Sequence, residues 1–289
     1  RVAPGLGTIE QLGGHYVPLA PDVGKYELID NGLCQGQGVR SEIATWAARR
    51  PERVMIPVQL GAGQQRAIGR VAVLSRAAQL RERLAAIVAQ VNDATAVEAA
   101  MQASAQVPTL GHLQNAVYTF VVSSMAGGTG ASISLDVTRV LADLTGNPAM
   151  TALFMCTADV FDTLNPEKRQ GVRANALAML GELVACQTGA AGGHDVELFR
   201  HMGIMSAHQG STFRRIIPLS SFRGQGSPVG DRKPHTIYRV TGQALAALAL
   251  SDRALTAIRQ RVIENSTPNV FSDKDNFGWG QDDIDVEWG

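Results

Sequence analysis

The sequence predicts an α/β protein built on a parallel sheet with helices on both faces. The clearest indication is residues 117–144, where an apolar run rich in β-branched and aromatic residues ends at Ser124, glycines follow, and apolar residues then recur at helical spacing. Further units of strand, loop and helix are predicted along the chain. Their succession implies parallel strands joined by right-handed crossovers. With 45% hydrophobic residues among 289, the chain can bury a full core.

The sequence before this central unit predicts its helices and strands with patterns of differing clarity. The first fifty residues carry scattered glycines and predict one short helix, over residues 41–50. Apolar composition then predicts a buried strand over residues 52–60, and amphipathic spacing predicts a helix over residues 74–91. Residues 93–116 are typical of a weak helix or a connection.

The second half of the chain predicts two more strands, at residues 151–156 and 214–220. A helix is predicted to start at Asn165 and Pro166 and to run to about Cys186, because Asn caps helices and Pro is favoured at the first helical position. Loops are expected at 189–194 and 222–234, and further helices at 235–250 and 253–264.

Composition limits the class of protein. The 26 basic and 26 acidic residues cancel, so net charge gives no reason to expect nucleic acid or an anionic membrane surface as a partner. Three widely spaced cysteines form no CxxC motif, which favours a reduced, cytoplasmic compartment. No apolar run approaches the length of a membrane span, so no direct membrane insertion is expected. We expect one domain over residues 1–265 and a mobile acidic tail over residues 266–289.

The glycines after the central strand form a candidate anion site. We call residues 125–130, which include Gly127, Gly128, Thr129 and Gly130, the central loop. Glycine allows a phosphate to approach the backbone and accepts positive φ, and the first amides of the following helix are donors at the positive end of its dipole. Hydroxyls of Thr129, Ser132 and Ser134 add donors. The alternative is a tight strand-to-helix turn with no ligand.

Two motifs resemble one family. Residues 126–132, Ala-Gly-Gly-Thr-Gly-Ala-Ser, resemble the GGGTGSG signature of the tubulin and FtsZ superfamily, with Ala126 in place of the first glycine and a changed end. Residues 61–70 are similar to the family's third phosphate loop, GAG-x5-GR, and we call residues 61–65 the upstream loop. Both loops follow predicted strands. The resemblance implies a Rossmann-like nucleotide-binding domain of the tubulin type.

The resemblance also implies a ligand and its contacts. GTP or GDP, with Mg²⁺, would lie across the two loops, and backbone amides would make most of the phosphate contacts. Ribose contacts would come from Glu167 and Arg173, and Tyr238 would stack on the base, although each of these three is equally consistent with an ordinary helix residue. The implied phosphate contacts are Gly61, Ala62, Gly63 and Gln64 in the upstream loop, with Ala126, Gly127, Gly128, Thr129 and Gly130 in the central loop.

The implied activity is GTP hydrolysis coupled to self-assembly into filaments, with other copies of the chain, and other proteins of the same system, as partners. Polymerising members of the family supply an acidic loop after the central helix, and only Asp252 stands near that position, as a candidate catalytic residue. The chain also leaves little length for the family's second domain. An alternative is therefore a nucleotide-binding regulatory or scaffold protein with little hydrolysis. A Rossmann-type dehydrogenase is disfavoured because no acidic ribose reader follows either loop at a strand end.

Asn175 is an unexplained polar residue in the apolar run ANALAML. A surface or helix-bonded asparagine is the simpler interpretation, and a role in the site is the other.

Overall fold

The computed structural model describes residues 14–19, 24–58, 61–105, 118–190, 192–204 and 211–250. Within them, three strands form a parallel sheet in the order β1 (Thr119–Ser124), β2 (Thr151–Cys156) and β3 (Arg215–Leu219). Thr119 lies opposite Thr151, and Ala152 lies opposite Arg215. The α/β class, the parallel sheet and these three strands are as the apolar runs predicted.

Helices make up most of the remaining regular structure of the described residues. They are α1 (Tyr26–Leu33), α2 (Val39–Ile43), α3 (Arg66–Leu74), α4 (Ala77–Val91), α5 (Ala94–Ala105), α6 (Gly130–Thr145), α7 (Val172–Gln187), α8 (Gly192–His201) and α9 (Pro234–Leu250). A two-stranded hairpin of β4 (Phe222–Arg223) and β5 (Ser227–Pro228) interrupts the connection from β3 to α9.

One face of the sheet carries the main core. Leu153 and Met155 of β2 are fully buried there against Ala131 of α6 and Met179 and Leu183 of α7. On the other face, Cys156 packs with Ile237 of α9 at the carboxyl end of β2. Val122 on that second face is 49% exposed. Among the described residues, α6 and α7 therefore pack on the first face, and α9 packs on the second face at the carboxyl end of β2.

The predicted strand over residues 52–60 is wrong for the residues that the structure describes. Pro51–Arg53 form a 3-10 turn, and residues 54–58 join no ladder in the described part of the chain. Buried Val58 and partly buried Val54 and Ile56 pack on helices instead, in a cluster that includes residues of α1 and α3, whereas Met55 is exposed. Composition shows that a segment is buried without showing whether a strand or a helix covers it.

Several helix boundaries also differ from the prediction. The short helix expected over residues 41–50 is α2, which ends at Ile43, and the helix expected from Asn165 is a 3-10 turn at Pro166–Arg169 followed by α7. Helices α1, α3 and α8 were not predicted, and α8 replaces part of the loop expected over residues 189–194. The helix predicted over residues 253–264 and the tail at 266–289 lie outside the described residues.

None of the helices in the described ranges combines the length and the hydropathy needed to span a bilayer.

Candidate functional site

The central loop and the upstream loop contact each other directly. The Gly128 amide donates a hydrogen bond to the Gly63 carbonyl at 2.9 Å. A Cβ on Gly128 would lie 2.5 Å from that carbonyl oxygen, and a Cβ on Gly69 would lie 2.2 Å from the Gly128 carbonyl oxygen. These distances are shorter than any side chain allows, so the contact itself requires glycine at both positions. The structure thus brings together the two loops that the motifs identified.

The central loop starts where β1 ends. The Met125 amide donates to the Cys156 carbonyl of β2 at 2.9 Å, and the Ala126 amide donates to the Ser124 hydroxyl at 3.0 Å. At the start of α6, a Cβ on Gly130 would lie 2.7 Å from the Ser123 hydroxyl. The loop therefore lies at the carboxyl edge of the parallel sheet, where ligands of such sheets bind.

The glycines of the two loops differ in backbone conformation. In the upstream loop, Gly61 has a φ of 108° and Gly63 a φ of 57°, values in the left-handed region that favours glycine. Gly128 and Gly130 do not have positive φ. The expectation that central-loop glycines serve positive φ is therefore wrong for these two. Close packing on the backbone of the upstream loop requires glycine at position 128, and Gly130 lies close to the Ser123 side chain.

Gly127 differs from its neighbours. Its φ lies outside the left-handed region, and a Cβ built on it would meet no atom within 4 Å. Neither backbone conformation nor packing within the described residues therefore requires a glycine there. A Cβ on Gly61 or Gly63 would likewise meet no atom within 4 Å, but the positive φ of these two residues already explains why they are glycine. An open glycine in a loop at a helix amino terminus suits a ligand that approaches the backbone closely.

The hydroxyls near the start of α6 divide into two groups. Ser132 is buried and donates to the Thr129 carbonyl at 2.7 Å, and Ser134 is buried and donates to the Gly130 carbonyl at 2.5 Å. Both stabilise the first turn of α6, so the expectation that they add donors to an anion site is wrong. Thr129 is exposed, and no side chain caps α6.

Asn175 joins the two loops from α7. Its side-chain amide donates to the Gln64 carbonyl at 2.8 Å and to the Ala126 carbonyl at 3.0 Å. The Gln64 side chain donates in turn to the Lys168 carbonyl and accepts from the Gly171 amide, both just before α7. Asn175 is thus not a simple surface residue. Its placement in an apolar helical run was the only sequence signal for it.

Arg70, the last residue of the GAG-x5-GR motif, faces away from the loops. It donates two hydrogen bonds to Asp136 of α6, at 2.9 and 2.8 Å, and one to Asp195 of α8 at 3.1 Å. Asp195 also accepts from the fully buried Arg139 at 2.8 Å. Burial alone would lower the pKa of Arg70, but the two carboxylates raise it, so the guanidinium stays charged. This network fastens α3, and with it the upstream loop, to α6 and α8.

A second polar cluster lies at the carboxyl ends of β2 and β3. Asp159 accepts hydrogen bonds from the Ser220 hydroxyl at 2.9 Å and from the Ser221 amide and hydroxyl, both at 2.7 Å, and also from Thr157. Burial would raise the pKa of Asp159, but these hydrogen bonds outweigh it and lower the pKa. Asp159 is an ionised carboxylate that holds the β2 and β3 loops together.

The other predicted site residues lie around this edge. Glu167 is exposed in the 3-10 turn that leads to α7, and Arg173 has an 80% exposed side chain that lies 3.4 Å from Asp162. Tyr238, at the start of α9, is 49% exposed, and burial and the neighbouring Cys156 raise its pKa. Asp252 lies outside the described residues.

Fold and site together define an α/β protein in which two glycine loops meet at the carboxyl edge of a parallel sheet. Residues 30–285 match the protein-family model described as Tubulin like, and the chain therefore belongs to the tubulin-like family. The resemblance of the two glycine motifs is thereby confirmed. No curated protein and no solved structure matches the chain.

Proposed function

We propose that this tubulin-like chain binds a guanine nucleotide, GTP or GDP, across the central and upstream loops. Gly127 carries the proposal, because no atom of the described residues within 4 Å and no left-handed φ accounts for a glycine there. A phosphate in contact with the backbone would account for it. The start of α6, which no side chain caps, adds unpaired amides and a partial positive charge on the same side.

In this proposal the loops divide the phosphates between them. The central loop, from Ala126 through Gly127, Gly128, Thr129 and Gly130, would surround the α- and β-phosphates. The amides of Gly127, Thr129 and Gly130 would hold them, because those of Ala126 and Gly128 already donate within the protein. The upstream loop, from Gly61 through Ala62, Gly63 and Gln64, faces the γ-phosphate. Gly61 and Gly63 are exposed and have open Cβ positions, which supports a ligand on that side. A Mg²⁺ ion would bridge phosphate oxygens and keep several waters, as it commonly does in nucleotide sites.

The nucleoside would extend along the carboxyl edge of the sheet. Glu167 lies on the connection from β2 to α7, which hydrogen bonds to Gln64, and Arg173 lies in the first turn of α7. This contact supports their proposed role near the ribose. Tyr238 lies beside Cys156 at the carboxyl end of β2, and its half-exposed ring supports a role in stacking on the base.

We further propose that GTP hydrolysis is coupled to self-assembly. Asp252 would act on a nucleotide held by a neighbouring copy, since it follows α9 and not either glycine loop. Turnover per molecule should then rise with protein concentration. Asp252→Ala should lower turnover without weakening nucleotide binding, the pattern of a group that acts only in the transition state.

A nucleotide-binding scaffold protein with little hydrolysis is the second candidate. The sequence Leu250-Ser251-Asp252 after α9 offers one acidic residue where polymerising relatives have an acidic loop, and this favours it. Turnover that stays flat across protein concentration, or that is undetectable in the parent, would support the scaffold and refute the polymerising GTPase.

The decisive experiment for nucleotide binding is chemical identification of the ligand. Purified protein is denatured, and the released small molecules are separated by chromatography. Guanosine nucleotide in near-stoichiometric amount is the expected result. Bound adenine nucleotide would correct the base, and bound nicotinamide would overturn the proposal in favour of a dehydrogenase. Protein that carries no nucleotide and binds none on titration would also overturn it.

A further inference from the structure

Asn175 makes two hydrogen bonds that connect segments far apart in the sequence. Its Nδ2 donates to the Gln64 carbonyl at 2.8 Å, across 111 positions, and to the Ala126 carbonyl at 3.0 Å, across 49 positions. A side-chain amide has two N–H donors, so both are used. One of the two carbonyls belongs to the upstream loop and the other to the central loop.

The connection before α7 holds the upstream loop from a second side. The Gln64 side chain donates to the Lys168 carbonyl and accepts from the Gly171 amide. A Cβ on Gly171 would lie 2.7 Å from the Gln64 side-chain oxygen, so glycine permits this contact. The upstream loop is therefore attached to the central loop by one backbone hydrogen bond, Gly128 to Gly63, and to α7 and its lead-in by Asn175 and Gln64.

We propose that Asn175 is a positioning residue that sets the spacing of the two loops and, through that spacing, the preference for a nucleoside triphosphate over a diphosphate. This role rests on the proposed function. A diphosphate contacts the central loop alone, whereas a triphosphate also reaches the upstream loop. Only the triphosphate therefore depends on the distance between the loops, and a γ-phosphate contact requires the upstream loop to be held in place.

The test compares the affinities of two ligands in matched variants. Asn175→Ala removes both donors. Asn175→Asp keeps the shape but places a carboxylate opposite two carbonyl oxygens. Ala178→Asn is the control, because it puts the same amide on the exposed side of α7. Calorimetric titration with GDP and with a non-hydrolysable GTP analogue gives the two dissociation constants for each protein.

Asn175→Ala should raise the dissociation constant of the triphosphate analogue about tenfold, the equivalent of one to two net hydrogen bonds, and that of GDP less than about twofold. Asn175→Asp should have the larger effect on the analogue, and Ala178→Asn should leave both constants unchanged. Equal weakening of both ligands would overturn the proposal, because that result indicates a general structural role. Unchanged affinity for both would overturn it as well.

A second variant covers the case in which Asn175 variants do not fold. Gln64→Ala removes the other attachment of the same loop at a half-buried position and should likewise weaken the triphosphate selectively. A Gln64→Ala protein that keeps the parent's ratio of the two constants would refute the spacing argument.

Hydrogen exchange separates failure of this role from failure of the proposed function. If the parent binds neither nucleotide, the proposed function fails and the triphosphate preference fails with it. Hydrogen exchange still tests whether Asn175 holds the upstream loop. Asn175→Ala should speed amide exchange in residues 61–66 at least about threefold more than it speeds exchange in α7, as expected for loss of a local restraint. Uniform exchange changes would show that Asn175 does not hold the upstream loop.

Discussion

Replacing Gly127 by alanine should weaken nucleotide binding without destabilising the fold. A Cβ at this position meets nothing within 4 Å of the described chain, and the φ of Gly127 lies outside the left-handed region. Alanine is therefore tolerated by the protein alone. A bound phosphate would lose its close approach to the loop, because the added methyl group occupies the open side.

The substitution should raise the stability of the fold slightly and lower the affinity for nucleotide. A glycine-to-alanine change at a compatible φ restricts the unfolded chain and stabilises a protein by about 0.4–1 kcal/mol. Loss of one hydrogen bond between a backbone amide and a charged phosphate costs about 1.5–3 kcal/mol of binding free energy, which raises the dissociation constant roughly 10- to 150-fold. Gly127→Ala should thus melt at the parent's temperature or slightly above it and bind GTP at least about tenfold more weakly.

The assay is a thermal melt without nucleotide together with calorimetric titration of GTP. Gly181→Ala is the matched control, since Gly181 is an exposed glycine within α7 whose Cβ also meets nothing within 4 Å. It should gain up to about 1 kcal/mol of stability from helix propensity and bind nucleotide as the parent does. Gly128→Ala is the contrasting variant, because its Cβ would lie 2.5 Å from the Gly63 carbonyl oxygen and should destabilise the fold itself.

Unchanged GTP affinity in Gly127→Ala, with the parent's melting temperature, would refute the assignment of this open side to a phosphate. A strong loss of stability in the same variant would refute the claim that packing does not require glycine there.

Three further predictions follow from the buried polar contacts and from α9. Asp136→Ala should destabilise the fold by about 3–5 kcal/mol in urea unfolding, because it removes the bidentate partner of Arg70. Asp159 has a lowered folded pKa, so its contribution to stability is present above the unfolded pKa of about 4 and is lost as pH falls through the folded value. Asp159→Asn should therefore cost about 1–3 kcal/mol at pH 7 and flatten the fall in melting temperature below pH ~4; an unchanged acid profile would contradict this. Tyr238→Ala should weaken nucleotide binding by about 1–3 kcal/mol while Tyr238→Phe binds normally, and equal titration curves for all three proteins would exclude base stacking.

Features that depend on local patterns could be predicted from the amino-acid sequence. The apolar runs at β1, β2 and β3 each identified a strand, and helical spacing after the central loop identified α6. The two glycine motifs identified the loops and the tubulin-like family. These features are readable because side-chain period and turn chemistry are properties of neighbouring residues. Residues 52–58 mark the limit, since apolar composition predicted a buried strand, whereas Val58 alone of them is buried and it packs on helices.

The contacts of each site residue, by contrast, became evident only from the folded chain. Gly128 must be glycine because the Gly63 carbonyl touches it, Gly127 is left open, and Arg70 pairs with Asp136 instead of facing a ligand. Asn175, which the sequence left as an ordinary helix residue, joins both loops. Each of these contacts connects residues at least 49 positions apart, with no repeating pattern between them. Chain folding brings such residues together, and the hydrogen bonds and close approaches that assign their roles exist only once it has done so.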